Sequence, residues 1–122
     1  MVHVIDDDEA VRESLEALLL VSGFDVEIYS SAEEFLAREP DPQGCLLLDV
    51  NMPGMSGLDL LQQLVEQRRR TPVIFLTASR DERQRERAAE LGARGFLNKP
   101  VTEDTLLRAI AEAQEHTGNA VP

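Results

Sequence analysis

Basic residues are scarce in this sequence, cysteine is almost missing, and no long apolar run occurs. Only 12 of 122 residues are Lys or Arg, against 23 Asp and Glu, leaving a net charge of −11. Non-specific nucleic-acid binding rests on basic side chains that neutralise phosphates, so the chain is not expected to touch DNA by itself. The single Cys45 excludes an intrachain disulfide and, lying in an apolar run, reads as a small core residue. No apolar stretch approaches the roughly 18 residues of a membrane span; Leu18–Val21 is among the longest. No basic segment followed by an apolar one opens the chain, so the expectation is no secretory signal, no membrane partner and a reducing, cytoplasmic location. At 43% hydrophobic residues, the length suits one domain with one core.

What is present is an alternation of short strands and helices. Val2–Ile5 reads as a strand, followed by a helix from about Asp8 to Ser22 with Val11, Leu15, Leu18 and Leu19 at helical spacing and a stop at Gly23. Phe24 to Tyr29 alternates as an edge strand would, and Ser31 with Glu34 forms a capping box opening a short helix. Cys45–Leu48 and Val73–Leu76 are apolar runs of the kind covered on both faces in parallel sheets. Between them Ser56 caps a helix carrying Leu58, Leu61, Leu64 and Val65, with Arg68–Arg70 at the negative end of its dipole. Ser79 with Glu82 suggests a capping box for a fourth helix, Gly95–Asn98 a fifth strand, and Thr102 to about His116 a last helix. Five strands and five helices joined by short loops predict an α/β, doubly wound parallel sheet in the flavodoxin-like order 2-1-3-4-5. The domain is expected over residues 1–116, with 117–122 a frayed tail or the start of a linker.

In a parallel sheet all strand carboxyl ends share one rim, where open α/β sheets bind ligands. Here Asp6 and Asp7 end the first strand, Asp49 the third, Thr77 the fourth, and Lys99 follows the fifth. The order 2-1-3-4-5 makes strands one and three neighbours, so Asp6, Asp7 and Asp49 share a pocket. Three carboxylates that close raise one another's pKa unless a positive charge compensates. Mg²⁺, which takes carboxylates, waters and a substrate phosphate, would do so, and Lys99 adds a second charge. Each residue taken singly has a plainer reading: a solvated acidic loop with Asp8 as N-cap, a strand end at Thr77, a helix start at Lys99-Pro100. Their joint placement at strand ends is what argues for a site.

These residues resemble the receiver domain of two-component response regulators from Val2 to about Glu115. The resemblance lies in Asp6-Asp7, the stretch Asp49-Val50-Asn51-Met52-Pro53-Gly54-Met55-Ser56-Gly57, Thr77-Ala78 and Lys99-Pro100. The opening Val4-Ile5-Asp6-Asp7-Asp8-Glu9 is most similar to the nitrogen-fixation-type, FixJ-like regulators, whose receivers precede a LuxR-type helix-turn-helix domain. That subgroup often has Gly-His-Gly after its Thr, where this chain has Ala78-Ser79-Arg80. No effector domain follows in these 122 residues, so the expectation is a piece of a longer transcription regulator that reaches DNA only through that further domain, with a stand-alone receiver as the alternative.

The resemblance implies that Asp49 takes a phosphoryl group from a phosphohistidine on a sensor histidine kinase. It further implies Mg²⁺ bound by Asp7 directly, Asp6 through water, Asp49 and the main-chain carbonyl of Asn51. Thr77 and Phe96 would form the switch, Asn51 and Ser79 would tune dephosphorylation, and Pro100 would follow a cis bond. The output surface would be the fourth helix, fifth strand and fifth helix, with a homodimer through the first two. Phe96 also reads as a permanently buried core residue, and the charged fourth helix as solvated and paired with itself. The enzyme alternative is a haloacid-dehalogenase-type aspartyl-phosphate phosphatase. In that class the nucleophile ends the first strand and the paired acids come last, the reverse of the order here. A flavodoxin-like FMN carrier would meet three aspartates at its phosphate loop. A receiver signalling without phosphate would not need the complete set.

Overall fold

The computed structural model describes residues 1–38 and 44–118, with side chains of the last helix described through Gln114. Its strands are β1 (Val2–Ile5), β2 (Val26–Tyr29), β3 (Cys45–Leu48), β4 (Val73–Thr77) and β5 (Gly95–Asn98). The helices are α1 (Glu9–Val21), α2 (Ala32–Arg38), α3 (Gly57–Glu66), α4 (Glu82–Glu90) and α5 (Glu103–Gly118). All strand pairs are parallel, in the order β2-β1-β3-β4-β5. This is the predicted topology, and it sets β1 beside β3 with Ile5 opposite Leu48.

Because successive strand residues face opposite ways, each central strand feeds two cores. Ile5, Leu46, Leu48, Val73 and Phe75 pack with Phe35, Leu60, Leu64 and Ala88 of α2, α3 and α4. Val2, Val4, Cys45, Leu47, Ile74 and Leu76 pack with Leu15, Leu19, Leu106 and Ile110 of α1 and α5. Each fully buried side chain of this size stabilises the fold by about 1.5–3 kcal/mol, so the three central strands anchor the rim. Burial lifts the Cys45 thiol to about 12, leaving it an inert core residue. His3, buried on the first of these faces, meets Tyr29 Oη through Nδ1 at 3.0 Å and lies edge-on to Phe35.

Several local expectations shift. Leu60 rather than Val65 joins the buried stripe of α3, which runs through Gly57, Leu60, Leu61 and Leu64 and leaves Val65 outside. Arg68–Arg70 lie beyond the last turn of α3 rather than in it. Arg68 takes a left-handed φ of 58°, and the Arg69 guanidinium sits 5.9 Å from the Phe35 ring centre. At α2, Ser31 Oγ accepts from Glu34 N as a cap should, but the Glu34 carboxylate reaches back to Ser30. The cap of α4 is Asp81, not Ser79, because the Asp81 carboxylate accepts from Arg83 N at 2.9 Å and its own amide bonds back to Ser79 Oγ. The α5 backbone stays helical through Gly118, so the first two residues of the expected tail belong to the helix; 119–122 lie outside the described residues. Among the described residues no helix is long and apolar enough to cross a membrane.

Candidate functional site

The strand ends converge as their order requires. Asp49 follows β3, and its backbone N–H donates to Ile5 O at 3.1 Å, continuing the β1–β3 ladder into the loop. The loop beyond it is tightly built: Gly57 N donates to Val50 O at 2.8 Å, and Ser56 and Asp59 complete a capping box at the start of α3. A β-carbon at position 57 would lie 2.1 Å from Asp49 O, so only glycine lets α3 start directly behind the aspartate. Glu33 of α2 ties the loop from the other side by accepting from Met55 N at 3.1 Å.

Asp6, Asp7 and Asp49 each offer a carboxylate oxygen within 4.8 Å of the others, the hard oxygen donors that suit a divalent cation such as Mg²⁺. Asp6 and Asp49 are nearly buried, at 3% and 9% exposure, while Asp7 is open to solvent. Lys99 Nζ lies 2.8 Å from Asp6 Oδ2 and 3.9 Å from Asp49 Oδ2, so its charge is shared unequally in favour of Asp6. Asp6 also accepts from Asp8 N at 2.9 Å, and Arg12 donates to the Asp6 carbonyl at 2.7 Å. Burial is the main reason the Asp49 carboxyl is pushed above its usual range, with Asp6 adding to the effect. Lys99 and hydrogen bonds from the Thr77 hydroxyl and the Asn51 amide pull the other way.

Thr77 is buried at the end of β4, and its Oγ1 also accepts from Ser79 N at 3.1 Å. Asn51 and Ser79 are bridged by one side chain. Both are held by Gln84, whose Nε2 donates to Asn51 Oδ1 at 3.1 Å and whose Oε1 accepts a short hydrogen bond from Ser79 Oγ. The Lys99–Pro100 peptide bond is cis, and Lys99 N donates to Thr77 O at 2.8 Å. Phe96 is half-buried, with its ring 5.9 Å from Phe75 on the inner side and the Arg85 guanidinium 5.0 Å from it on the outer side. Arg85 also donates to Phe96 O at 3.3 Å.

Gln84, Arg85, Arg12 and Glu33 are the site neighbours that sequence reasoning missed. A usable signal existed for Gln84: in this fold every rim loop leads into a helix amino terminus, so first-turn polar residues look back at the rim.

A nearly buried carboxylate just after β3, paired acids just after β1, a hydroxyl ending β4 and a lysine after β5 define a receiver. The response regulator receiver domain family matches residues 2–111, and the chain belongs to it. Among curated proteins it is 40% identical over 116 residues to the transcriptional regulatory protein FixJ of Rhizobium meliloti, covering 94% of this chain and 57% of that one. The FixJ protein of Azorhizobium caulinodans is 46% identical over 110 residues, 89% of this chain and 52% of its own. The solved structure of FixJ-N superposes with a TM-score of 0.87 at 40% identity, covering 94% of this chain and 93% of that one. The chain thus spans about half the length of these curated relatives. The family match runs through all five strands in order, which leaves the dehalogenase-type phosphatase reading without support.

Proposed function

We propose that this receiver is a phosphoacceptor switch in which a histidine kinase delivers a phosphoryl group to Asp49. The observation that carries the reading is the convergence of Asp6, Asp7, Asp49, Thr77 and Lys99 at one rim, from four different strand ends. A carboxylate oxygen of Asp49 attacks phosphorus, the phosphorus–nitrogen bond to the kinase histidine breaks with its electron pair left on the imidazole, and an acyl phosphate forms. Lys99, within 4 Å of Asp49, balances charge on the incoming oxygens. Thr77 donates its hydroxyl proton to Asp49 at rest and, in the phosphorylated state, to a phosphoryl oxygen. Asp6, Asp7, Asp49 and the Asn51 carbonyl would hold Mg²⁺, which when bound neutralises charge on the phosphoryl oxygens. Hydrolysis resets the domain, so it is a self-modifying signalling element and not a turnover enzyme.

Mg²⁺ is expected to raise the melting temperature of the wild type by relieving repulsion among the three carboxylates. Asp7→Asn should lose most of that response; equal shifts in both proteins would place the cation elsewhere.

The output is a rearrangement of α4 and β5, with Phe96 turning inward as Thr77 is drawn toward the phosphoryl group. α4 suits such movement, because Ala88 is its one buried residue. Its arginines are partly satisfied within the chain, Arg83 by Asp81 at 3.3 Å and Arg87 by Glu90 at 3.6 Å. Both pairs are surface pairs of small energy, free to exchange partners across a two-fold interface. Treatment with beryllofluoride, a phosphoryl mimic, is expected to raise the light-scattering mass toward a dimer, and Arg83→Glu with Arg87→Glu to block that rise. A monomer under both conditions would leave release of an effector domain as the output. Control of transcription would then run through that domain, as the names of the FixJ relatives suggest.

A further inference from the structure

We infer that Gln84, in the first turn of α4, is the positioning residue that sets how long a phosphoryl group on Asp49 survives; the inference rests on the phosphoacceptor reading above. One carboxamide spans two loops. Its Nε2 holds Asn51, two residues after Asp49, and its Oε1 holds Ser79, two residues after Thr77. Ser79 is itself fixed on three sides. Its amide donates to Thr77 Oγ1 at 3.1 Å, its hydroxyl oxygen accepts from Asp81 N at 3.3 Å, and its carbonyl accepts from Asn98 Nδ2 at 2.6 Å. Thr77 and the Asn51 amide both donate to Asp49. The result is a closed polar ring, Asp49–Thr77–Ser79–Gln84–Asn51, that includes the acceptor itself.

The ring has a chemical consequence. In hydrolysis a water oxygen bonds to phosphorus, the bond from phosphorus to the Asp49 oxygen breaks with its electron pair left on the carboxylate, and a water proton passes to solvent. That water gains from an acceptor that orients it and draws on its proton. Asn51 Oδ1 and Ser79 Oγ, two residues beyond Asp49 and Thr77, already accept from Gln84 and Asp81. Gln84 also keeps the two side chains apart at fixed positions. It therefore occupies a lone pair of Asn51 Oδ1 and turns the Ser79 Oγ–H toward itself and away from water, and so prolongs the phosphorylated state.

The test uses the chain loaded by acetyl phosphate with Mg²⁺, freed of donor, and followed by intact mass. Gln84→Met keeps the length of the side chain and removes both hydrogen bonds; Gln84→Ala removes the side chain. Both are expected to shorten the half-life at least about threefold, a small part of the roughly 10²–10⁴-fold that a positioned proton acceptor can supply. Uptake of the phosphoryl group should change by less than about twofold, a split between the two steps that a general loosening of α4 would not produce. With Asn51→Ala and Ser79→Ala already in place, Gln84→Met should have no further effect on decay. An unchanged or longer half-life, or the same acceleration in that double-variant background, overturns the inference while leaving Asp49 as acceptor. A wild-type chain that takes up no phosphoryl group overturns the reading beneath it as well.

Discussion

Asp49→Asn is expected to take up no phosphoryl group from acetyl phosphate and, in metal-free buffer at neutral pH, to melt at a higher temperature than the wild type. The first result follows from the nucleophile: the amide oxygen of Asn cannot form the acyl phosphate. The second follows from electrostatics. Burial raises the Asp49 pKa in the folded state, so the folded chain binds this proton more tightly than the unfolded chain does. Stability therefore falls as pH rises from the unfolded value of about 3.9 through the raised folded value, and the loss is complete above both. Asparagine keeps the shape and removes the charge, so the variant should melt higher at pH 7, each kcal/mol gained reading as about 4 °C in a domain of this size. Well below about pH 4 the gain should disappear, since the wild-type carboxyl is then protonated in both states. Intact mass and calorimetry across pH read the two outcomes. Undiminished labelling would remove Asp49 as acceptor, and an unchanged melting curve would mean Lys99 and Thr77 fully offset the burial.

Lys99→Met should act in the opposite sense on stability and the same sense on function. Its ammonium is 2.8 Å from the buried Asp6 carboxylate and 3.9 Å from Asp49. Removing it leaves two nearly buried carboxylates without their cation, although Asp6 keeps its bond from Asp8 N. Breaking a fully buried pair costs about 3–5 kcal/mol; with the Lys99 side chain partly exposed, about 1–3 kcal/mol is the expected loss in urea unfolding. Phosphoryl uptake should fall by roughly 10²-fold, the scale on which a charge stabiliser aimed at a reacting oxygen contributes. Combining Lys99→Met with Asp49→Asn should recover part of the stability and none of the uptake, because one of the two uncompensated charges has gone. A double variant no more stable than Lys99→Met would assign the whole penalty to Asp6.

The contrast between these variants marks how far the sequence could be read. Strand ends were legible because apolar runs and turn residues bound them sharply: Cys45–Leu48 and Gly95–Asn98 fall where the pattern put them. Strand order fixed the neighbours, and with them the meeting of Asp6, Asp7 and Asp49. What the pattern could not carry was the partner of each polar group once the rim had closed. Lys99 prefers Asp6 to Asp49 by about an ångström, which depends on where a flexible side chain ends and not on spacing. Ser79 matches a capping motif, yet two acids and a serine within four residues offer competing caps, and the loop geometry favours Asp81. Gln84 and Asn51 are 33 residues apart, and no local rule connects them.

The way α4 is attached has a thermal consequence. Its ties to the rest of the chain are mostly polar: Gln84 to Asn51 and Ser79, Arg85 to Phe96 O, Arg87 to Gln62, with Ala88 the one buried side chain. Heat-capacity change on a conformational transition tracks the apolar area that enters or leaves water. Shifting this helix uncovers little such area, so its enthalpy and entropy of displacement stay nearly constant with temperature. A switch built this way should give a nearly straight van't Hoff plot, its response to temperature set by a single enthalpy and not by one that drifts as apolar surface is hydrated.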